Sequence, residues 1–271
     1  MTTAPWLTFY GLRRRLVYLL RSARALAVRG PCMGLNNPQG MALTEYQGFA
    51  LLLDRKVPLD DSIFAGKGYE TKQSERLFSM IKAVPDIRGK RYFLDVGAYW
   101  GLYSLLAHQS GWFDHIIAFE PDPLNRAQLH AQLFLNDLAN QIEVRGVALS
   151  DRTGSADFLR SQAHSLGNRG GVGLKERTRN DDANTVVVPI DKLDNQLQIR
   201  GEVIFMKVDV EGHERHVLTG AEALLAHNQV VLQVECFEPD RTLNLGILER
   251  LGYRKLDEIG PDLFFTNFPL R

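Results

Sequence analysis

The chain has 271 residues, 45% hydrophobic and 24% charged, enough to bury a core as one large domain or one domain with an appendage. Lysine plus arginine (32) balance aspartate plus glutamate (32), which removes any global electrostatic case for a nucleic acid partner. Cys32 and Cys236 make no metal-ligand or disulfide pattern, no apolar run approaches the roughly 18 residues that span a bilayer, and nothing resembles a cleavable signal, so the expected location is the cytoplasm.

Residues 11–26 read as a basic amphipathic helix, with Leu12, Leu16, Leu19, Leu20 and Ala23 on one face and Arg14, Arg21 and Arg24 largely elsewhere. Such a helix suits peripheral contact with an anionic membrane surface. Packing against the domain or a dimer partner is the favoured alternative, because Val17 and Tyr18 blur the polar face. A strand pair follows, Met41 to Tyr46 and Phe49 to Leu53, turning at Gln47-Gly48. After Gly66-Lys67-Gly68-Tyr69-Glu70 a helix is expected from Thr71 to Ala83, ended by Pro85 and Gly89. Residues 1–65 are therefore read as an amino-terminal extension and 66–271 as the main domain.

From there strands and helices alternate. Strands are expected at 92–96 and 116–119, with helices from Leu102 to His108 and over 123–137. A strand spans 142–149, and a turn at Asp151-Arg152-Thr153-Gly154 leads to a short strand at 155–159. Residues 161–184, rich in Gly, Arg, Asn and Asp, read as a functional lid or a structureless loop, closed by a strand at 186–189. A strand at 203–209, a helix from Glu214 to Ala226, a strand at 230–235 and a helix at 241–251 follow. Two short strands, 253–258 and 262–267, close the chain. The alternation predicts a parallel sheet with right-handed crossovers, and the tight turn at Gly260-Pro261 makes the final pair antiparallel.

The segment Tyr92-Phe93-Leu94-Asp95-Val96-Gly97-Ala98-Tyr99-Trp100-Gly101, then a helix, a second strand and the terminal acid Glu120, is the arrangement that holds an adenosine-containing cofactor at the carboxyl edge of such a sheet. Glycines admit the ligand to the backbone, and an acid about 20 residues on accepts hydrogen bonds from the ribose hydroxyls. Gly97 and Gly101 are spaced G-x-x-x-G; the missing central glycine argues against a pyrophosphate on the turn. Asp95, ahead of the glycines, suits a cofactor presenting an amine there. S-adenosylmethionine fits both features and NAD neither.

The runs Leu94-Asp95-Val96-Gly97-Ala98-x-x-Gly101, Ala118-Phe119-Glu120-Pro121, Ala148-Leu149-Ser150-Asp151, Lys207-Val208-Asp209-Val210-Glu211-Gly212-x-Glu214 and Val217-Leu218-x-Gly220-Ala221, with Glu235 at the next strand's end and Gly68-Tyr69-Glu70 ahead of the core, resemble the FkbM family of S-adenosylmethionine-dependent methyltransferases. The resemblance covers about residues 66–240. It implies an α/β, Rossmann-like class I methyltransferase sheet, mostly parallel, with seven strands and the last antiparallel. It also implies methyl transfer, most often to a hydroxyl of a sugar or secondary metabolite.

On this reading the cofactor-binding residues are Asp95, Gly97, Ala98, Gly101, Glu120, Pro121, Ala148 and Leu149. Asp95 faces the methionine ammonium directly or through water, Glu120 takes the ribose hydroxyls, Pro121 locks the turn after it, and Ala148 and Leu149 flank adenine. Tyr99 and Trp100 either wall the cofactor or pack the turn. Catalysis falls to the end of the 203–209 strand, where Asp209, Glu211 and His213 are candidate bases for the acceptor proton, with Glu214 as a further alternative. Glu211 and Glu214 also suit helix capping. A divalent cation would polarise the acceptor through Asp209 and Glu235, but Cys236 is a poor ligand for a hard ion, so no metal is predicted. The expected partner is a small-molecule or glycan acceptor; N-methyl transfer and a non-catalytic cofactor-binding module are the competing functions. Neither the acceptor's identity nor the oligomeric state, a homo-oligomer included, is written in the sequence.

Overall fold

A computed structural model describes residues 40–85, 88–159 and 185–271. The expected amphipathic helix at 11–26 and the loop at 161–184 lie outside the described residues. Residues Met41–Arg271 form one compact unit. In chain order its elements are β1 (Met41–Tyr46), β2 (Phe49–Asp54), α1 (Pro58–Phe64), α2 (Thr71–Ser79), β3 (Arg91–Val96), α3 (Leu102–Ser110), β4 (His115–Phe119), α4 (Pro123–Leu135), β5 (Glu143–Arg145), β6 (Ala148–Leu149), β7 (Gly154–Leu159), β8 (Thr185–Asp191), α5 (Leu193–Gln196), β9 (Val203–Val208), α6 (Glu214–Thr219), α7 (Glu222–His227), β10 (Gln229–Glu235), α8 (Arg241–Arg250), β11 (Arg254–Ile259) and β12 (Asp262–Thr266).

Seven strands form the central sheet in the order β11-β12-β10-β9-β3-β4-β5. Pairings from β10 through β5 are parallel, and β12 runs antiparallel between β10 and β11. This is the class I methyltransferase sheet, as expected. All six residues of β9 are buried because both faces of the sheet are covered, which is why the central strands read as continuous apolar runs rather than alternating ones. Phe93, Phe205, Val231 and Phe264 meet β2, α1, α2, α3 and α4 on one face. Leu94, Val96, Met206, Val208, Val234 and Phe265 meet α6, α7 and α8 on the other. No helix among the described residues is long and apolar enough to cross a membrane.

The strand pair before the core joins this fold through side-chain amides. Gln132 of α4 accepts from the Leu52 N–H at 2.8 Å and donates to the Leu52 carbonyl at 2.9 Å. Asn136 does the same for Ala50, at 2.9 and 2.8 Å. Two amides thus replace the strand that β2 lacks on that edge, and Leu51 and Leu53 are buried in the shared core.

Three expected elements are divided. The helix expected over 71–83 ends at Ser79 and tightens into a 3-10 turn over Met80–Ala83. The strand expected over 142–149 breaks at Gly146: a Cβ there would meet the Arg126 guanidinium at 2.8 Å, and that group donates to the carbonyls of Glu120 and Pro121. Beyond the break Ala148 and Leu149 pair with β8 in a separate three-stranded sheet, β6-β8-β7. The helix expected over 214–226 breaks at Gly220, where a Cβ would stand 1.9 Å from the Ser150 carbonyl oxygen. The backbone of residue 150 fills the space a side chain would need.

Gly220 has an ordinary helical φ of −76°, so its substitution tests this close approach without backbone strain. Gly220→Ala is expected to destabilise the fold by about 1–3 kcal/mol, as overpacking does. Gly246→Ala, in α8 with nothing within 4 Å of the added carbon, is expected to stabilise it by roughly 0.5–1 kcal/mol. Urea unfolding of the two variants checks both signs.

Candidate functional site

The carboxyl ends of β3, β4 and β9 converge on one cleft of about 520 Å³, its open mouth included. Its floor is set by the approach of two strand ends. The Asp209 N–H donates to the Val96 carbonyl at 3.0 Å, and a Cβ on Gly97 would lie 1.8 Å from the Asp209 carbonyl oxygen. Only glycine fits there, at a φ of +80° that also favours it.

One end of the cleft is built on Glu120, which is 4% exposed. The Tyr99 N–H donates to Oε2 and the Asp122 N–H to Oε1, both at 2.8 Å, so the side chain ties the glycine turn to the entry of α4. Burial raises its carboxyl to about 8, against the two hydrogen bonds that favour ionisation. Each oxygen retains a second lone pair. Val147, Ala148, Leu149 and Phe158 form an apolar wall beside it, with Pro121 and Asn125.

The turn's aromatics are packed inward. Tyr99 Oη and Trp100 Nε1 both donate to Asp60 Oδ1, at 2.9 and 3.1 Å, while Asp60 Oδ2 accepts from the Asp54 N–H at 2.9 Å and from Gln128 at 3.3 Å. Trp100 is fully buried, and Tyr99 also borders the cleft. Asp95 lies beneath the turn rather than on the cleft wall. Its Oδ2 accepts from the N–H and hydroxyl of Ser104 at 2.9 and 2.7 Å, fixing the first turn of α3, and its Oδ1 has no hydrogen-bond partner among the described residues. Burial raises this carboxyl, opposed by Lys207. Ala98 and Gly101 do not line the cleft either; a Cβ on Gly101 would strike Leu129 at 2.2 Å, a packing reason for that glycine.

The other end is acidic. Asp209, Glu211 and Glu235 bring carboxylate oxygens within 4.8 Å of one another. The Lys207 ammonium bonds Asp209 at 2.9 Å and sits 4.7 Å from the centre of the Tyr103 ring. The positive charge that Asp209 meets is thus already supplied, which does not fit a divalent ion there. Glu235 is held protonated by burial and by the Asp209 carboxylate. Glu211, at the mouth, is raised to about 7 by desolvation and by Asp209 and Glu214. It adopts a left-handed φ of 56°, unusual for a glutamate. Glu214 is structural: its Oε1 accepts from the Val210 and Gly212 N–H groups, both at 3.1 Å, and orders the loop that carries Glu211.

His213 lines the cleft but stands beside the apolar wall, its Nε2 3.0 Å from Ser150 Oγ. It stacks on His216 at 4.3 Å, and burial lowers it to about 4, so the ring is neutral. The cleft thus brings together Gly97, Glu120, Pro121, Ala148, Leu149, Asp209, Glu211 and His213. The sequence reading did not single out Asn125, Val147 or Phe158, and it quoted Lys207 only as part of the signature run, with no role of its own. Lys207 alone carried a signal, a lysine inside the apolar run Val203 to Val208.

A model of the Methyltransferase FkbM domain family matches residues 95–255. Among solved structures, a methyltransferase FkbM from Methylobacillus flagellatus is 19% identical with a TM-score of 0.47; the match covers 68% of this chain and 45% of that one. The ribosomal protein L11 methylase of Lactobacillus delbrueckii subsp. bulgaricus is 12% identical over 73% of this chain and 78% of its own, at 0.41. M. jannaschii TYW2 in complex with AdoMet is 11% identical over 84% of each chain, at 0.40. This chain therefore spans less than half the length of the first of these. No curated protein matches it.

The Glu120 carboxyl gives a pH signature. Its folded value, about 8, lies above the ordinary 4.5, so the native state binds more protons than the unfolded chain between them. That contribution makes stability fall as pH rises through this window. Thermal unfolding from pH 4.5 to 8.5 should show a smaller fall in Glu120→Gln than in the parent; an identical slope contradicts a protonated buried Glu120.

Proposed function

The chain belongs to the FkbM methyltransferase domain family, and from that premise we propose that it is an S-adenosylmethionine-dependent methyltransferase acting on a hydroxyl of a sugar or other small metabolite. The observation that carries the reading is the position of Glu120. A buried carboxyl stands at one end of the cleft between a glycine turn and an apolar wall, and in its ionised form each oxygen keeps a lone pair for one hydroxyl of a vicinal diol. The wall of Val147, Ala148, Leu149 and Phe158 suits a flat, weakly polar base. The unpartnered Asp95 Oδ1 beneath the turn is an acceptor for an ammonium or for water held by one. Lacking a central glycine, the turn gives a pyrophosphate no close approach.

Bound there, the cofactor supplies an electrophilic methyl group on a sulfonium. The protein's tasks are alignment and removal of the acceptor proton. Glu211 is the group this chain offers as base. It sits at the mouth of the acidic end, and near neutral pH part of it is ionised. In the methyl transfer the Glu211 carboxylate would accept the proton of the acceptor hydroxyl. Asp209, paired to Lys207, orients the acceptor hydroxyl by accepting from it. His213 is less suited to be the base because its Nε2 is held by Ser150. N-methyl transfer is the second reading, favoured by one observation: the acidic side chains of Asp209, Glu211 and Glu235 gather at one end of the cleft.

Calorimetry with S-adenosylmethionine and with NAD tests the cofactor. Binding of the first and loss of about tenfold or more in affinity in Glu120→Ala are expected; binding of NAD alone overturns the assignment. Incubating a metabolite extract with protein and methyl-labelled cofactor identifies the acceptor. On that acceptor Glu211→Gln should lower the rate roughly 10²-fold at neutral pH with cofactor affinity unchanged. An unchanged rate moves the base elsewhere.

A further inference from the structure

His213 and Ser150 come from distant parts of the chain, the loop after β9 and the segment after β6, and meet beside the apolar wall of the cleft. Ser150 is fully buried and its hydroxyl has one proton. Asp151 Oδ1, 3.2 Å away, can only accept, and Asp151 is itself held ionised by His216 Nδ1 at 2.9 Å on Oδ2. The serine proton therefore goes to Asp151, and Ser150 Oγ must accept at its other contact. That contact is His213 Nε2, which carries the ring proton and donates. A neutral imidazole protonated at Nε2 has an acceptor at Nδ1. The stacked His216 ring, 19° from parallel, holds the plane in place.

Resting on the cofactor reading above, we propose that His213 is a specificity-determining residue for the nucleobase: its Nδ1, fixed as an acceptor by the Ser150–Asp151–His216 chain, takes a hydrogen bond from the exocyclic amino group of adenine. An acceptor at this wall favours a base that presents N–H there and rejects one that presents a carbonyl, since two facing acceptors leave both unpaired. The chain also explains why two histidines and an aspartate gather where no proton transfer to the acceptor is needed.

The test is calorimetric, with S-adenosylhomocysteine and its 6-oxo counterpart, S-inosylhomocysteine, as probes. The parent protein should bind the adenosyl compound more tightly by roughly tenfold or more. His213→Phe should erase most of that preference, weakening the adenosyl compound and leaving the inosyl compound nearly unchanged. His213→Gln, whose amide oxygen is again an acceptor, should restore part of it and controls for a variant that fails to fold. Undiminished preference in folded His213→Phe, or no preference in the parent, overturns the assignment while leaving the cofactor reading intact. Failure of the parent to bind S-adenosylhomocysteine overturns the cofactor reading itself.

Discussion

The structure depends on how closely the ends of two central strands can approach. Val96 and Asp209 are joined by a backbone hydrogen bond, and the next residue, Gly97, has its α-carbon so near the Asp209 carbonyl that no side chain fits between them. A parallel sheet splays its connections apart at its carboxyl edge, and this contact closes the gap at the middle. The glycine turn and the acidic loop therefore share a floor. On one side lie Glu120 and the apolar wall; on the other lie Lys207, Asp209 and Glu211. Charge is divided in the same way: one carboxyl is buried among backbone donors, and several crowd around a single ammonium.

That crowding has a physical logic. Burying Lys207 in a strand of the sheet is costly unless its charge is met, and Asp209 and the face of Tyr103 meet it. Once Asp209 is paired in this way, the neighbouring acids cannot all ionise. Glu235 keeps its proton and Glu211 is poised near neutrality. A group that exchanges its proton near physiological pH thus arises from the arrangement of its neighbours, without an unusual residue type.

Much of this was legible in the residues. The strand–turn–helix run from Tyr92 and the acid at 120 located one end of the cleft because glycine spacing and strand ends are local features. The closing pair of strands was legible for the same reason. The breaks at Gly146 and Gly220 were not, since each is imposed by a group from elsewhere, Arg126 in one case and the Ser150 backbone in the other. Asp95 and Gly101 show the converse. Their types matched a binding motif, and the structure adds packing roles that the motif does not show: one accepts from the first turn of α3 and the other makes room for Leu129. His213 matched a base by its chemistry, and its contact with Ser150, from a distant part of the chain, was not legible. Asp60 carried no signal, because nothing local distinguishes an acid that will be buried beneath two aromatic rings.

Asp60 has a consequence for how this protein can be cut and recombined. Its carboxylate comes from a helix well upstream of the signature motifs, yet it anchors both rings of the glycine turn. The hairpin before it is clasped by the helix that follows Glu120. A fragment trimmed to begin at the motif-bearing region would carry every hallmark of the family and lose the ballast under its glycine turn. Modular excision must therefore start near residue 41, and chimaeras exchanging the front segment must transplant the acid together with the aromatic pair it restrains.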